Sequence, residues 1–566
     1  MTPRRRDLLR AAAAGGALTA LAACARIPTR SPIAVEPLPD GAQPGAPYVR
    51  ALPPPEDAAP EAVVAGFVQA GVGPANDYAV AREYLTDEQR KEWRPAAGVV
   101  MYSGSEELLV ESSGPSEVTV TVQAVATLAA NGVRTQMVGP TARAFTFTLA
   151  QVEEQWRISS CPDGIFLSEA AFETLYEAAR LYFLDPRSIH LVPDHRWFPV
   201  QRAASAVLEA LAEGPAPFLN GAVHSAVPRS ARLAETSVST SGDGTTHVIV
   251  PEQVDALNAA QRTLALSQIE ASLRSLPSLP DVRLVVDGAD VTGVADDAPQ
   301  RPVPGHRPIG AGARGVISLA DVSAGEQAQQ VVPDLADIAV SSPMIEAGGA
   351  LATALSDDGS TVLIASTDGS APLREAASGG SFALPCADGA GYVWTAARSG
   401  TGVLLALAGS GAADDVTVDA AWLAGRDVAS LRIASDDTRL LVLSSDASGA
   451  RLDLCAVRRT EDGVPQAITE PTPVRTAITE VRDASWYDEA AVIVLGTDPA
   501  HGGQRARIVD FCATRDALPD LRDGTTRITG SVVADAIWAT AGDALLRSEG
   551  ETWMRVDLQA RDPSFY

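Results

Sequence analysis

The chain has 566 residues, 46% of them hydrophobic, enough for several packed cores. Its formal net charge is −27, from 71 acidic and 44 basic residues, so nucleic acid and anionic lipid surfaces would repel it and neither is expected as a direct partner. The single lysine, Lys91, precedes Glu92, which excludes a Gly-Lys-Ser/Thr phosphate loop and argues against a Schiff-base lysine.

The N-terminus reads as an export signal over residues 1–23. Arg4, Arg5, Arg6 and Arg10 supply a cationic start, Ala11 to Ala20 a short apolar stretch of small residues, and Leu21-Ala22-Ala23-Cys24 a cut site followed by a thiol. A membrane span needs about 20 apolar residues. Only Ala11 to Ala23 precede Arg26, and Gly15, Gly16 and Thr19 interrupt them. The Leu-Ala-Ala-Cys run resembles a bacterial lipobox, and the resemblance implies that Cys24 becomes the acylated first residue and tethers the chain to the lipid bilayer. Arg4 to Arg10 also looks like a twin-arginine export motif, and the choice between that route and the general one stays open. Ten prolines from Ala25 to Pro60, nine of them within residues 24–59, make that span a tether unable to build a core. Fully extended, it reaches on the order of 110 Å.

Residues 60–167 predict an α+β domain. A helix opens at Pro60 with Val63, Val64, Phe67 and Val68 on one stripe. A second is expected over 77–93, stopped by Pro95. Strands follow at 107–111, 118–128, 143–152 and 155–159, with Val118, Val120 and Val122 alternating with polar residues as in a half-buried strand. Two helices and long antiparallel strands fit a cone-shaped sheet curled round a helix. The Glu153-Glu154 pair reads as a solvated hairpin tip. The region holds no histidine to complete an acid–base site.

Residues 168–308 predict a second small α+β domain of β-α-β-β-α-β style. A strand over 189–192 leads to a helix opening at Pro199, with Val200, Ala203, Ala204, Val207, Leu208 and Leu211 on one face and Gly214-Pro215 at its end. A strand near His247, Val248 and Val250, a helix carrying Leu257, Leu264, Ile269 and Leu273, and a strand over 282–286 follow. Leu181 to Asp185, His190 to Pro199 and Leu208 to Pro215 together resemble the GerMN domain of actinobacterial lipoproteins of the LpqB family. The resemblance extends over the whole chain: lipobox, tether, N-terminal α+β domain, GerMN and a C-terminal β region. His190 and His195 lie five apart across Pro193, a spacing that suits packing or surface roles better than a metal pair. His224, His247, His306 and His501 are scattered.

Residues 311–566 are β-rich with Gly, Asp and Ser turns. Ser356-Asp357-Asp358-Gly359 and Ser435-Asp436-Asp437 precede strands, as do Asp388-Gly389, Tyr487-Asp488 and Gly542-Asp543. Their spacing suits a β-propeller of about five blades, with six also open. The Ser-Asp-Asp turns resemble those of TolB-like propellers. The aspartates are expected to cap turns rather than bind calcium, since Asp-x-Asp-x-Asp-Gly is missing. Cys161, Cys386, Cys455 and Cys512 form no C-x-x-C pair, so a zinc ribbon is not expected and disulfide pairing is not legible. The fold class is therefore multidomain: an N-terminal α+β domain, an α+β GerMN domain and an all-β C-terminal propeller.

No Gly-x-Ser-x-Gly elbow or His-Glu-x-x-His helix occurs. No catalytic, cofactor or metal residue is assigned, and Cys24 is the one candidate site residue. The family resemblance implies a non-enzymatic lipoprotein that binds the extracytoplasmic region of a membrane sensor kinase, MtrB of the MtrA–MtrB two-component system, and affects cell-wall homeostasis and division. The competing expectation is an extracytoplasmic glycan-binding protein or hydrolase acting on the wall.

Overall fold

The computed structural model describes residues 51–566 apart from 105–107, 233–236, 280, 292–297, 321–327, 410, 413, 512–517 and 551. Cys24, the signal, nearly all of the tether and Cys512 thus lie outside the described residues.

The first domain is built on the helix Pro60–Ala70. Val63, Val64, Phe67 and Val68 recur at helical spacing and are all buried. They face a six-stranded sheet: β1 (Gly98–Tyr102), β2 (Leu109–Gly114), β3 (Glu117–Ala129), β4 (Arg134–Val152), β5 (Gln155–Ser160) and β6 (Ile165–Ser168). The order is β5-β4-β3-β1-β6, with β2 pairing on β3. Its pairs are antiparallel except β1 with β6, which run parallel. Val118, Val120 and Val122 point inward on β3, as their alternation requires. Glu153 and Glu154 form the two-residue turn between β4 and β5, both with positive φ, 51° and 65°.

The helix expected over 77–93 is two helices, Ala75–Arg82 and Asp87–Glu92. The break is a tertiary event. Tyr84 O accepts from Ile158 N and Thr86 N donates to Ile158 O, both at 2.9 Å, so this stretch pairs with β5 instead of continuing the helix. The Thr86 hydroxyl then caps the second helix. β1 and β6 escaped sequence reading because each is short. Their contact needs glycine: a Cβ on Gly164, whose φ is +88°, would lie 2.6 Å from the Gly98 carbonyl oxygen.

The helix Glu169–Leu175, capped by Ser168, buries Phe172 and Leu175 in the first domain's core together with Tyr176. The packing seam therefore falls near Tyr176, past the 167/168 boundary expected from composition. In the second domain, β7 (Tyr176–Leu184) pairs with β8 (Leu191–Pro199) residue for residue, from Leu184↔Leu191 to Tyr176↔Pro199. That partner carries the strand expected at 189–192 through to Pro199. The following helix opens at Ala203, after a single 3₁₀ turn. A second sheet holds β9 (Val238–Thr240), β10 (Thr246–Ile249), β11 (Val282–Val286) and β12 (Ala289–Asp290), in the order β12-β11-β10-β9. Between the sheets, Phe183, Val192, Val207, Leu211, Ile269 and Leu284 are buried in one core with the helices Ala203–Glu213 and Ala259–Leu273.

The described residues of the remaining chain form six sheets. The inner strands are Val340–Ile345, Cys386–Ala387, Asp427–Ile433, Thr479–Trp486, Thr525–Ser531 and Ala560–Phe565. Each touches the next, and the last touches the first, so the sheets close into a ring. The sixth sheet decides the count, between the five and six blades left open, in favour of six. It joins Pro308–Gly312 and Val316–Ser318 to Ala560–Phe565 from the far end of the chain, so no local repeat announces it. Closure removes the exposed edges that an open row of blades would present.

The turn aspartates hold geometry. Asp358 Oδ1 accepts from Ser356 Oγ and Ser360 N at 2.6 and 3.0 Å, and Asp436 Oδ1 accepts from Thr438 N and Arg439 N at 2.9 Å. Cys161, Cys386 and Cys455 are free thiols. Burial pushes all three up to about 12, so they are inert as nucleophiles.

Candidate functional site

Polar groups concentrate in two places: the junction between the second domain and the ring, and the axis of the ring.

At the junction, the β7–β8 hairpin meets the turns that follow successive inner strands. Arg187 reaches from the hairpin loop, donating to Asp437 Oδ2 at 2.8 Å and to Asp185 Oδ2 at 3.4 Å. His190 Nε2 lies 3.6 Å from Asp437 Oδ2, and Asp437 Oδ1 accepts from Gly389 N at 2.8 Å. Burial alone would lower the His190 pKa, but the bond to Asp437 and its charge override this and raise it. Burial likewise opposes ionisation of Asp437, and His190 and the Gly389 amide outweigh it, holding its pKa down. Beneath lies a fully buried pair, Arg459 with Asp388, whose Oδ2 also accepts from Trp394 Nε1 at 2.7 Å. Further along, Glu489 Oε1 accepts from Tyr182 Oη at 2.9 Å and Arg180 Nη1 at 3.1 Å, and pairs with Arg301. His195 is buried beside the Phe511 ring, 5.4 Å between centroids, and burial depresses its pKa, with Arg439 and Arg180 adding to the effect.

His190 and His195 therefore face different surroundings. Their odd spacing on an extended segment places them on opposite faces. Elsewhere, His247 sits on β10, the His306 amide binds Tyr566 O, and His501 Nδ1 lies 3.1 Å from Asp498 Oδ2. Among the described residues no group of three or more His, Cys, Asp or Glu side chains could hold a metal ion.

On the axis, the inner strands enclose a cavity of about 90 Å³, lined by Arg432, Asp483, Arg527 and Asp562 among others, with Pro304 and Gly305 at its rim. Gly305 passes so close to the last residues that a Cβ would lie 2.7 Å from Tyr566 N. Arg527 Nε stands 3.5 Å from Asp562 Oδ1, and Asp562 Oδ2 accepts from Ser342 N at 3.0 Å. Asp483 is buried, its Oδ2 accepting from Ile528 N at 2.9 Å and its Oδ1 without a partner. Burial raises its pKa, against the pull of Arg527 and Arg432. Burial lowers that of Arg432, against Asp483. Sequence reading passed over these residues. Their signal is a charged side chain inside an inner-strand run, as in Leu431-Arg432-Ile433 and Asp483-Ala484.

Three family models match in succession. "Lipoprotein LpqB, N-terminal domain" covers residues 53–173, "Sporulation and spore germination" covers 180–292, and "Lipoprotein LpqB beta-propeller domain" covers 318–565. The chain belongs to the LpqB lipoprotein family. Curated relatives named Lipoprotein LpqB include those of Cutibacterium acnes and Streptomyces coelicolor. Each is 26% identical, and each alignment covers 88% of this chain and 87% of the relative. The Streptomyces avermitilis relative is 24% identical, over 99% of this chain and 98% of its own. These LpqB names specify a lipoprotein and no catalytic activity. A lipoprotein is held at a membrane by acyl chains rather than by a span. Among the described residues, no helix is long and apolar enough to cross a membrane.

Proposed function

We propose that this LpqB-family lipoprotein is anchored through acyl groups on Cys24 on the extracytoplasmic face of the cell membrane. There it binds the extracytoplasmic region of an MtrB-like sensor kinase and modulates its signalling, and through it cell-wall homeostasis and division. The observation that carries this reading is the three-model match, which follows the family's domain order from residue 53 to residue 565. The ion-paired junction adds support. It fastens the second domain to the ring through Arg187, Glu489 and Arg180, so the two offer a partner one continuous surface.

The alternative, a wall-glycan binder or hydrolase, has less in its favour. The axial cavity of about 90 Å³ is small beside the roughly 300–1,000 Å³ of ordinary ligand pockets, and a glycan would have to use the clefts of about 620 Å³ beside His224 or about 650 Å³ beside Trp553. In-cell cross-linking followed by a pull-down in mild detergent tests the proposal, comparing the native chain with Cys24→Ala. Recovery of a sensor kinase by the native chain, lost or weakened in the variant, is the expected result. Recovery of wall polymer or wall enzymes without a kinase overturns it.

A further inference from the structure

The axial cavity contains two oppositely charged pairs, and they differ in one respect. Arg527 and Asp562 face each other, and Asp562 also takes a backbone amide. Asp483 also takes a backbone amide, from Ile528, but no ion pair joins it to Arg432. Among the described residues the Arg432 guanidinium donates to its neighbour's carbonyl, Leu431 O, at 2.8 Å and to no carboxylate. Asp483 leaves Oδ1 buried and without a hydrogen bond. A buried carboxylate oxygen without a hydrogen bond is expensive, so Asp483 Oδ1, in one cavity with a guanidinium that donates to no carboxylate, marks room for a ligand that supplies both partners.

We propose that the axial cavity binds a free amino acid or a zwitterion of similar size, with Arg432 taking its carboxylate and Asp483 its ammonium group. This reading is independent of the kinase partner: it concerns the ring's interior, and a failure of either leaves the other standing.

The fit is chemical and volumetric. A guanidinium presents a planar fork of donors matched to a carboxylate, and an ionised aspartate offers acceptors only, which suits an ammonium. A lone anion would satisfy Arg432 and leave Asp483 exposed to like charge. A lone cation would do the reverse. By the measure in which one water needs about 10–15 Å³, a cavity of about 90 Å³ has room for roughly half a dozen heavy atoms, the size of glycine or alanine. Met344, Ile433 and Phe565 add apolar wall for a short side chain, and the cavity is not sealed from solvent. Burial disfavours the charged form of both groups against the attraction of the charges around them, and a bound zwitterion would offset that cost at both ends.

The test is equilibrium dialysis of the full-length lipoprotein in detergent against radiolabelled glycine and alanine, with sodium acetate and methylammonium chloride as single-charge competitors. Saturable binding is expected, with each single-charge competitor at least roughly tenfold weaker than unlabelled glycine. Asp483→Asn and Arg432→Gln should each weaken binding by about tenfold or more, with melting curves establishing that both are folded. Absence of saturable binding up to about 10 mM overturns the proposal, the cavity then holding only water. Acetate competing as well as glycine also overturns it, making this a plain anion site. Undiminished binding in both folded variants overturns it by placing the zwitterion elsewhere. The competition on the native chain decides the matter even if a variant does not fold.

Discussion

The junction and the axial cavity bury the same kinds of side chain to opposite effect. At the junction Asp437 and Glu489 meet arginine or histidine partners from the second domain, which fastens it to the ring, and beneath them Asp388 pairs with Arg459 inside the ring. In the cavity, half-buried Arg432 donates to no carboxylate and buried Asp483 leaves Oδ1 without a hydrogen bond. A buried charge that meets opposite charge across two domains acts as a clamp; one that does not marks a place where folding has left interaction energy unused.

The largest break in this comparison comes from Asp388→Ala. It leaves the fully buried Arg459 without its carboxylate and Trp394 Nε1 without its acceptor. A loss of about 3–5 kcal/mol is expected, read from the denaturant midpoint at constant m-value. A loss under about 1 kcal/mol would mean the pair is solvated.

Asp483→Asn should do the opposite. The Asp483 pKa is raised by burial, so its ionised form is disfavoured on folding. A raised carboxyl contributes stability below its unfolded value near 4 that is lost as pH rises through the folded value. At pH 8 the variant should therefore melt slightly above the native chain, by less than about 1 kcal/mol, with the gain shrinking toward pH 4. A lower melting temperature at pH 8 would show that the carboxylate is partnered after all.

The smallest effect is His190→Gln. The folded pKa of His190 is raised, chiefly by Asp437 acting against burial. Its contribution is thus fully present below the unfolded value near 6.5 and is lost as pH rises through the folded one. Thermal melts at pH 5.5 and 8.5 should show a cost below about 1 kcal/mol, larger at the lower pH. The difference between variant and native chain is the quantity to follow, because His195, with a depressed pKa, works in the opposite direction. Equal costs at both pH values would remove the charge from the His190–Asp437 contact.

Legibility divided along similar lines. The helix Pro60–Ala70 and strands β3 and β11 could be read directly, since their burial follows local periodicity: Val118, Val120 and Val122 on one face, Val63, Val64, Phe67 and Val68 on one stripe. The break at Leu85-Thr86 could not, because it depends on pairing with Ile158. The sixth sheet was hidden because Ile309 pairs with Ser564. The ion pairs of the junction were hidden for the same reason: Arg180 and Glu489 meet only after two domains dock.

By itself the sequence determined the succession of two α+β domains and a β ring, and the periodic faces of their helices and strands. These depend on composition and on patterns spanning a few residues, where local sterics and solvation act. Tertiary structure alone decided how the ring closes, where the second domain fastens to it, and which charges are buried with partners or without. Those outcomes depend on distances between residues remote in the chain, and no local pattern encodes such a distance.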